Sequence, residues 1–199
     1  YQKLAESVTN KKADWHEAID LYREPGDLEE LLKQKGTLFG NNQWPKEPQD
    51  FQKTYEQYVE KMKLLGTQIL RLMAIGMGLD EHFFDRFVDD PFWVLRIIGY
   101  PNLNTKPDKL DVGPDQGAYA SEVGLSCGEH TDYGCLTMVN QDETKGALQV
   151  LTSKGEWIDA DPIEDAFVMN LGDVFKTWTR GRYRATLHRV VNTRSTYRV

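Results

Sequence analysis

The hydrophobic period of this chain changes near Pro91, and that change limits the folds open to it. Before this point apolar residues recur at three- and four-residue steps, which is typical of an amphipathic helix. After it, short runs of β-branched and aromatic residues are separated by Gly, Asp, Asn and Pro, which is typical of strands. No helix long enough for βαβ units separates these runs, so a Rossmann-type fold is disfavoured. The sequence predicts a mainly β fold with flanking helices, whose strands form a sandwich or barrel.

Six strand runs are predicted in the second half of the chain. These runs are Phe92–Tyr100, Cys135–Asn140, Ala147–Leu151, Glu156–Ala160, Ala166–Asn170 and Thr186–Val191. Lys154-Gly155 predicts a hairpin turn between two of them. Upstream, the apolar pattern predicts one long helix over residues 49–78, preceded by Pro48 and ended by Gly76 and Gly78.

Other helical segments are predicted around the long helix. A short helix should follow it, with Asp80 as its N-cap. Its phenylalanines, which we expect to face a core, are Phe83, Phe84 and Phe87. The segment Trp15–Tyr22 is also predicted to be helical, whereas residues 22–48 are predicted to be mostly loop because Gly, Pro, Asn and Lys accumulate there.

The length of 199 residues fits one domain, or at most one and a half. Within it we expect a mainly helical part over residues 1–91 that packs on a barrel, and a β core over residues 92–199 whose closing strand is missing. The chain opens at Tyr1 and stops at Val199 in a strand-like segment. We therefore expect a truncated or partly ordered copy of a longer fold.

Charge and composition restrict the partners. The chain has 24 basic and 31 acidic side chains, a net charge of −7, and no cluster of Lys and Arg. This argues against nucleic-acid and anionic-membrane binding, and no apolar run is long enough to span a bilayer. We expect a small-molecule partner, with the oligomeric state open and a monomer favoured. Cys127 and Cys135 lack a zinc or disulfide pattern, which indicates reduced thiols and a cytoplasmic protein.

A candidate metal site is formed by two histidines and one aspartate. His130 and Asp132 are two residues apart, so on an extended chain their side chains point to the same face. His188 follows in the last predicted strand. Two imidazoles and one carboxylate leave three adjacent positions open on an octahedral ion, as in the facial triad of non-haem Fe(II) oxygenases. Zinc accepts the same ligand types, and a hydrogen-bonded structural histidine is the plainer alternative.

A candidate anion-binding residue, Arg198, follows His188 on the next strand-like segment. Its planar guanidinium can pair bidentately with a carboxylate. The plainer interpretation of a single arginine is a solvated surface charge.

Together, His130-Thr131-Asp132, His188 and Arg198 resemble the HxD…H…RxS signature of the Fe(II)/2-oxoglutarate-dependent dioxygenases, in the isopenicillin N synthase-like family. Further blocks fall in the order of that family, namely Gly128–Gly134, Gly146–Val150, Gly155–Ile158, Asn170–Asp173 and His188–Val191. The resemblance is close over residues 92–199 and looser from residue 49 onward.

The resemblance implies a double-stranded β-helix, or jelly roll, with helices packed on one sheet. It also implies that His130, Asp132 and His188 hold Fe(II) as the catalytic centre. The distal carboxylate of 2-oxoglutarate would pair with Arg198, with Tyr100 as a further hydrogen-bond partner. The Ser of the RxS motif would follow Val199, where the sequence given ends.

The implied reaction uses 2-oxoglutarate and O2 to oxidise a C–H bond of a small molecule, usually by hydroxylation and in some members by desaturation or ring formation. Three alternatives stay open. One is an oxidase of the same family that uses no 2-oxoglutarate, another is a zinc hydrolase with the same His/Asp/His site, and the third is a non-catalytic β-sandwich module.

Residues near the ligands are assigned as follows. Tyr133 and Leu136 are candidates for the substrate pocket wall, because they are adjacent to the metal-ligand segment. The segment Asn170–Asp173 is predicted to be a turn between two strands, with Gly172 at positive φ. The two cysteines are interpreted as small apolar fillers.

Overall fold

The computed structural model describes residues 1–4, 6–9, 12–24, 40–102, 125–191 and 197–199. Residues 25–39 of the predicted loop lie outside this set. The described chain forms two compact units. Tyr1–Ile19 and Ile97–Val199 form one, here called the β unit, and Asp20–Arg96 form the other, the helical unit. That residues 1–91 pack on the barrel stays a prediction, as does the missing closing strand.

Ten strands and three helices are formed by the described residues. The strands are β1 (Val8–Thr9), β2 (Lys12–Ala13), β3 (Glu17–Tyr22), β4 (Val94–Gly99), β5 (Leu125–His130), β6 (Leu136–Val139), β7 (Leu148–Leu151), β8 (Trp157–Asp159), β9 (Val168–Leu171) and β10 (His188–Val191). The helices are α1 (Phe51–Gly76), α2 (Asp85–Val88) and α3 (Asp173–Trp178). Each of the six predicted strand runs contains or overlaps one of these strands.

Helix α1 confirms the long helix predicted from the apolar spacing. Its buried residues, Tyr55, Val59, Leu70 and Ala74, recur at helical steps along one face. The hydroxyl oxygen of Tyr55 lies within hydrogen-bond distance of two carbonyl oxygens, 3.2 Å from that of Leu21 and 3.1 Å from that of Leu95, so its one O–H ties the helix to these strand segments of the helical unit. Gly78, at φ +74°, follows the last turn, as expected after a helix end.

The short helix after α1 differs from the prediction. It begins at Asp85 instead of Asp80, because the Asp80 carboxylate accepts the His82 N–H within a turn before the helix. Of the three phenylalanines only Phe84 is buried, while Phe83 and Phe87 are exposed. Arg71 of α1 donates to both oxygens of Asp85, at 3.1 and 2.7 Å, which joins the two helices.

The helical prediction for Trp15–Tyr22 is wrong. Glu17–Tyr22 form β3, which is hydrogen bonded to β4 in a two-stranded sheet. The two fully buried residues, Ala18 and Leu21, are three positions apart, a spacing that imitates a helix. The segment is a strand because its long-range pairing with β4 outweighs this local helical pattern.

The β unit contains a four-stranded sheet in the order β5-β10-β7-β8 and a two-stranded sheet of β6 with β9. The strand pairs recorded within these sheets are antiparallel, and β7 and β8 form the hairpin predicted at Lys154-Gly155. The hydrophobic core of this unit is a buried cluster of Tyr100, Leu148 and Val190, and further apolar residues pack against it. The packed residues are Ile98, Cys127, Val139, Ala160 and Val168.

Strand β5 is absent from the sequence predictions. Its central residues, Ser126, Cys127 and Gly128, carry no β-branched or aromatic signal. Pairing with β10 on one side supplies the hydrogen bonds that make this segment a strand. Only the two-residue spacing of His130 and Asp132 pointed to an extended chain here.

The turn predicted at Asn170–Asp173 is also wrong. Asn170 and Leu171 finish β9, and Gly172, with φ −101° and ψ −175°, is extended backbone that leads directly into α3. The predicted positive φ at Gly172 is therefore incorrect, and the reason for a glycine at this position lies in close packing at the site described below.

No helix among the described residues combines the length and the hydrophobicity needed to cross a membrane.

Replacing Phe175 of α3 by alanine is expected to lower the free energy of unfolding by about 3–5 kcal/mol, because its side chain has 0% exposure and would leave a cavity. Urea unfolding followed by circular dichroism measures the change. Phe92→Ala, at a side chain with 74% exposure, is the control and should cost less than about 0.5 kcal/mol. Equal losses in the two variants would contradict the burial described for α3.

Candidate active site

Strand register brings the two predicted histidines together. In the antiparallel pairing of β5 with β10, His188 lies directly opposite His130, and their ring centroids are 4.3 Å apart. Asp132 follows just beyond the end of β5, and its Oδ1 lies 3.7 Å from Nε2 of each histidine. One potential ligand atom from each of the three residues lies within 4.8 Å of the other two. The three residues that the sequence singled out thus converge on one point.

Hydrogen bonds fix which nitrogen each imidazole offers. His130 Nδ1 contacts the Gly128 carbonyl at 2.8 Å, and His188 Nδ1 contacts the Thr186 carbonyl at 3.0 Å. A carbonyl oxygen only accepts, so Nδ1 carries the proton in both rings. In the neutral imidazole Nε2 is then a free lone pair, and in both residues Nε2 faces Asp132. Backbone carbonyls commonly orient metal-binding histidines in this way.

The Asp132 carboxylate is held by a cross-strand pair that sequence reasoning missed. Asn170 Nδ2 donates to Asp132 Oδ2 at 2.7 Å, and Thr137, its partner in the β6–β9 register, also hydrogen bonds the carboxylate. Burial alone would raise the pKa of Asp132, but these bonds and the neighbouring imidazoles outweigh it and hold the pKa below its usual value. The carboxylate is therefore ionised and oriented. The sequence signal that could have identified Asn170 is the alternation of side chains along β9, which places Asn170 on the same face as Val168.

The start of α3 holds the loop that carries Asp132. The Asp173 N–H donates to the Asp132 carbonyl at 2.8 Å, and the Gly172 N–H donates to the Cys135 carbonyl at 3.1 Å. A Cβ on Gly172 would lie 2.2 Å from the Gly134 carbonyl oxygen and 2.7 Å from that of Asp132. Only glycine permits this approach of two backbone segments.

Arg198 is a buried cation, and two of its nitrogens lack an acceptor within the part of the chain that the structure describes. Its residue exposure is 5%, and its guanidinium carbon lies 4.9 Å from the centre of the Tyr100 ring. Paired backbone hydrogen bonds between Arg198 and Tyr100, at 2.8 and 3.1 Å, fix this arrangement. Asp142 Oδ1 is 3.4 Å from Nε, which is an ion-pair distance without hydrogen-bond alignment. Among the described residues, Nε and Nη1 have no hydrogen-bond acceptor.

The two residues predicted for the pocket wall have different surroundings. Tyr133 has 90% exposure and borders a cavity of about 230 Å³ at the start of α3. The other lining residues are Asp173, Val174, Thr177 and Trp178. Leu136 is half-buried in β6 and pairs with Leu171 of β9. Their contact with a substrate stays a prediction.

The donor sets fit the two groups implied by the sequence resemblance. Two imidazole nitrogens and one carboxylate on adjacent elements match the ligand set that leaves one face of an Fe(II) ion open. A buried guanidinium with two nitrogens that lack an acceptor among the described residues fits a ligand carboxylate, because buried hydrogen-bond donors without acceptors are costly.

A His/Asp/His trio, with a buried arginine elsewhere in the same β unit, is the set of side chains expected of a non-haem iron oxygenase. The chain belongs to the 2OG-Fe(II) oxygenase superfamily, whose family model matches residues 100–199. The homoarginine-6-hydroxylases of Glycine max and Arabidopsis thaliana are 41% and 42% identical to it over 100% of this chain. A Neurospora crassa protein, solved in complex with alpha-KG and thymine, aligns with a TM-score of 0.74 at 29% identity over 100% of this chain.

The fold prediction, a mainly β jelly roll with flanking helices, is confirmed by this structural likeness. The chain spans 57% of the length of these two hydroxylases and 59% of the Neurospora crassa protein. These relatives favour neither a zinc hydrolase nor an oxidase that works without 2-oxoglutarate.

Gly172→Ala is expected to weaken Fe(II) binding by roughly 10–100-fold, because a Cβ at this position displaces the backbone that carries Asp132. Anaerobic titration with Fe(II), followed by calorimetry, measures the dissociation constant. Gly134→Ala, in the same loop, is the matched control, since its Cβ would meet nothing within 4 Å. Unchanged affinity in Gly172→Ala would show that this backbone contact does not position the carboxylate.

Proposed function

We propose that this protein couples the oxidative decarboxylation of 2-oxoglutarate to the hydroxylation, or a related C–H oxidation, of a small molecule. The observation that carries the proposal is the convergence of His130, Asp132 and His188, with both Nδ1 atoms already bonded to carbonyls. In the proposal these three residues are the Fe(II) ligands. Arg198 and Tyr100 bind 2-oxoglutarate.

The side chains have separate tasks in this proposal. His130 and His188 each offer Nε2, and Asp132 offers the oxygen that faces them. Asn170 bonds the other carboxylate oxygen, so it restricts rotation of the carboxylate. Bound Fe(II) supplies the oxidising chemistry, in which one atom of O2 enters succinate, the other enters the product, and the 1-carboxyl group of 2-oxoglutarate leaves as CO2.

In this proposal, Arg198 orients the bound 2-oxoglutarate. Its burial and its position over the Tyr100 ring leave the guanidinium little freedom, so the N–H groups that find no acceptor in the described part of the chain point in fixed directions. A carboxylate that accepts from them gains a charge-assisted bond in a site with little water. Anchoring one end of 2-oxoglutarate in this way would present its keto acid end to the metal.

The first substrates to test follow from the relatives. Homoarginine comes first, because the hydroxylases named for it match the whole of this chain, and thymine, present in the Neurospora crassa complex, comes second. We also propose a cytoplasmic protein. The two cysteines are not in a disulfide, which supports a reducing compartment, and burial raises the pKa of the Cys135 thiol, which keeps it protonated and unreactive. A monomer stays the favoured assembly, and its mass in solution would test it.

The complete protein, loaded with Fe(II) under O2, is expected to release succinate from 2-oxoglutarate at a rate that its substrate stimulates. Mass spectrometry should find one added oxygen atom in the product. His130→Ala should abolish both succinate release and tight Fe(II) binding. Product formation without succinate would instead identify an oxidase independent of 2-oxoglutarate, and hydrolysis by the zinc-loaded protein would identify a hydrolase.

Arg198→Leu is expected to weaken 2-oxoglutarate binding by roughly 10–150-fold, because a charge-assisted hydrogen bond contributes about 1.5–3 kcal/mol. Calorimetric titration of the Mn(II)-loaded protein measures this without turnover. Arg198→Lys keeps the charge but not the planar fork, so its affinity should lie between those of the wild type and Arg198→Leu. Arg182→Leu, at an exposed position, is the control. If Arg198→Leu binds 2-oxoglutarate normally, the anchoring role is wrong.

A further inference from the structure

Two buried side chains near the N-terminus hold β5 just before His130. Asp14 and His16 have 2% and 1% exposure. Asp14 Oδ1 accepts the Gly128 N–H at 2.8 Å, and His16 Nδ1 donates to the Ser126 carbonyl at 3.0 Å. The backbone of β5 is therefore bonded at two alternate residues, in addition to its pairing with β10.

Gly128 connects Asp14 to the imidazole of His130. Its N–H bonds Asp14, and its carbonyl accepts from His130 Nδ1 at 2.8 Å. The first bond fixes the amide before the Gly128 Cα, and the second orients the ring through the carbonyl after it. A buried carboxylate and a proposed metal ligand are thus hydrogen bonded to the two backbone polar groups of one residue, on either side of its Cα.

Thr9 fixes the other oxygen of the same carboxylate. Its Oγ1 donates to Asp14 Oδ2 at 2.7 Å, so each oxygen of Asp14 has one bond. The Thr9 side chain also packs on the Cα of Gly128, where an added Cβ would lie 2.6 Å from Thr9 Cβ and Cγ2. Glycine at position 128 is therefore required by close approach, and the contact keeps Asp14 aligned with the Gly128 amide.

The chemistry of Asp14 favours a positioning role over simple filling of space. A buried carboxylate is costly unless it is hydrogen bonded, and an apolar side chain would fill the same volume without that cost. A charged acceptor makes a shorter and stronger bond to a backbone N–H than a neutral one. Groups that orient a metal-binding histidine through its second nitrogen commonly change metal affinity 10–100-fold.

We propose that Asp14 is a positioning residue of the metal site, acting through Gly128 to hold His130 with its proton on Nδ1 and its Nε2 directed at the ion. The proposal rests on the proposed function, in which His130 is a ligand. It assigns part of the site to a segment that lies outside the residues matched by the family model.

The first test needs no metal. Long-range ¹H–¹⁵N spectra of the metal-free protein report which nitrogen of His130 carries the proton. The wild type should show the Nδ1–H form, and Asp14→Ala should shift His130 toward a mixture with the Nε2–H form. An unchanged His130 tautomer in Asp14→Ala would overturn the proposal, whatever reaction the protein catalyses.

The second test measures metal affinity with Co(II), by absorption spectroscopy on protein without 2-oxoglutarate. Asp14→Ala should bind Co(II) roughly 10–100-fold more weakly than the wild type. Asp14→Asn keeps a neutral acceptor for the Gly128 N–H, so it should lose about half as much on a logarithmic scale. If Asp14→Ala does not fold, the Co(II) affinity of Asp14→Asn is the result that tests the proposal.

The matched control is Thr152→Ala, which removes a side-chain acceptor of the Lys154 and Glu156 N–H groups in the β7–β8 turn. It should leave the His130 spectrum and the Co(II) affinity unchanged. A purely structural role would lower the stability of Asp14→Ala while its folded fraction bound Co(II) normally, and that result would overturn the proposal.

A different ion at Asp14 would also overturn it. Asp14, His16 and Cys127 each place a potential ligand atom within 4.8 Å of the others. If Asp14→Ala lost a second equivalent of Co(II) and kept the first at full affinity, Asp14 would be a ligand and not a positioning residue. Failure of the proposed function has a separate signature, since wild-type protein would then release no succinate.

Discussion

The antiparallel pairing of β5 with β10 is the constraint on which the site depends. Because side chains alternate along a strand, the register that sets His188 opposite His130 also decides that both imidazoles emerge on one face. A slip of one residue would turn one ring to the other face of the sheet. The outer strand pairs secure that register: β7 bonds β10 from its other side, and Arg189 packs its guanidinium 4.0 Å from the centre of the Trp157 ring.

Around this pair, the β unit buries polar groups, which costs free energy unless they are hydrogen bonded. Asp132 is desolvated but accepts bonds from Asn170 and Thr137, and Arg198 is desolvated with two nitrogens lacking acceptors among the described residues. The first group is fully organised before any ligand arrives, whereas the second is only partly satisfied. An anion that completes the bonds of Arg198 would recover free energy that folding leaves unrealised. In the proposed function, Asp132 is therefore oriented before the metal binds, whereas the hydrogen bonds of Arg198 are completed when the cosubstrate binds.

Sequence reasoning succeeded where a local period or a family signature carries the information, and it failed where only a contact between distant segments does. The long helix follows from apolar spacing, and the convergence of His130, Asp132 and His188 follows from a two-residue spacing and a family signature. Strand β3 was predicted as a helix because pairing with β4, and not its own pattern, gives it its structure. A positive φ was predicted at Gly172, but the reason for a glycine there is its close contact with the backbone of Asp132 and Gly134. Asn170 was missed for the same reason, since its partner Asp132 is 38 residues away.

The bonds from Asp14 to Gly128 and from His16 to Ser126 join residues 114 and 110 positions apart in the chain. At a synthesis rate of about 5–20 residues per second, the N-terminal segment leaves the ribosome roughly 6–20 s before β5 is made. During that interval a buried aspartate and histidine of the finished protein are exposed to water, without their backbone partners. The β unit is interrupted by the whole helical unit, so its folding during translation must wait for the second half of the chain.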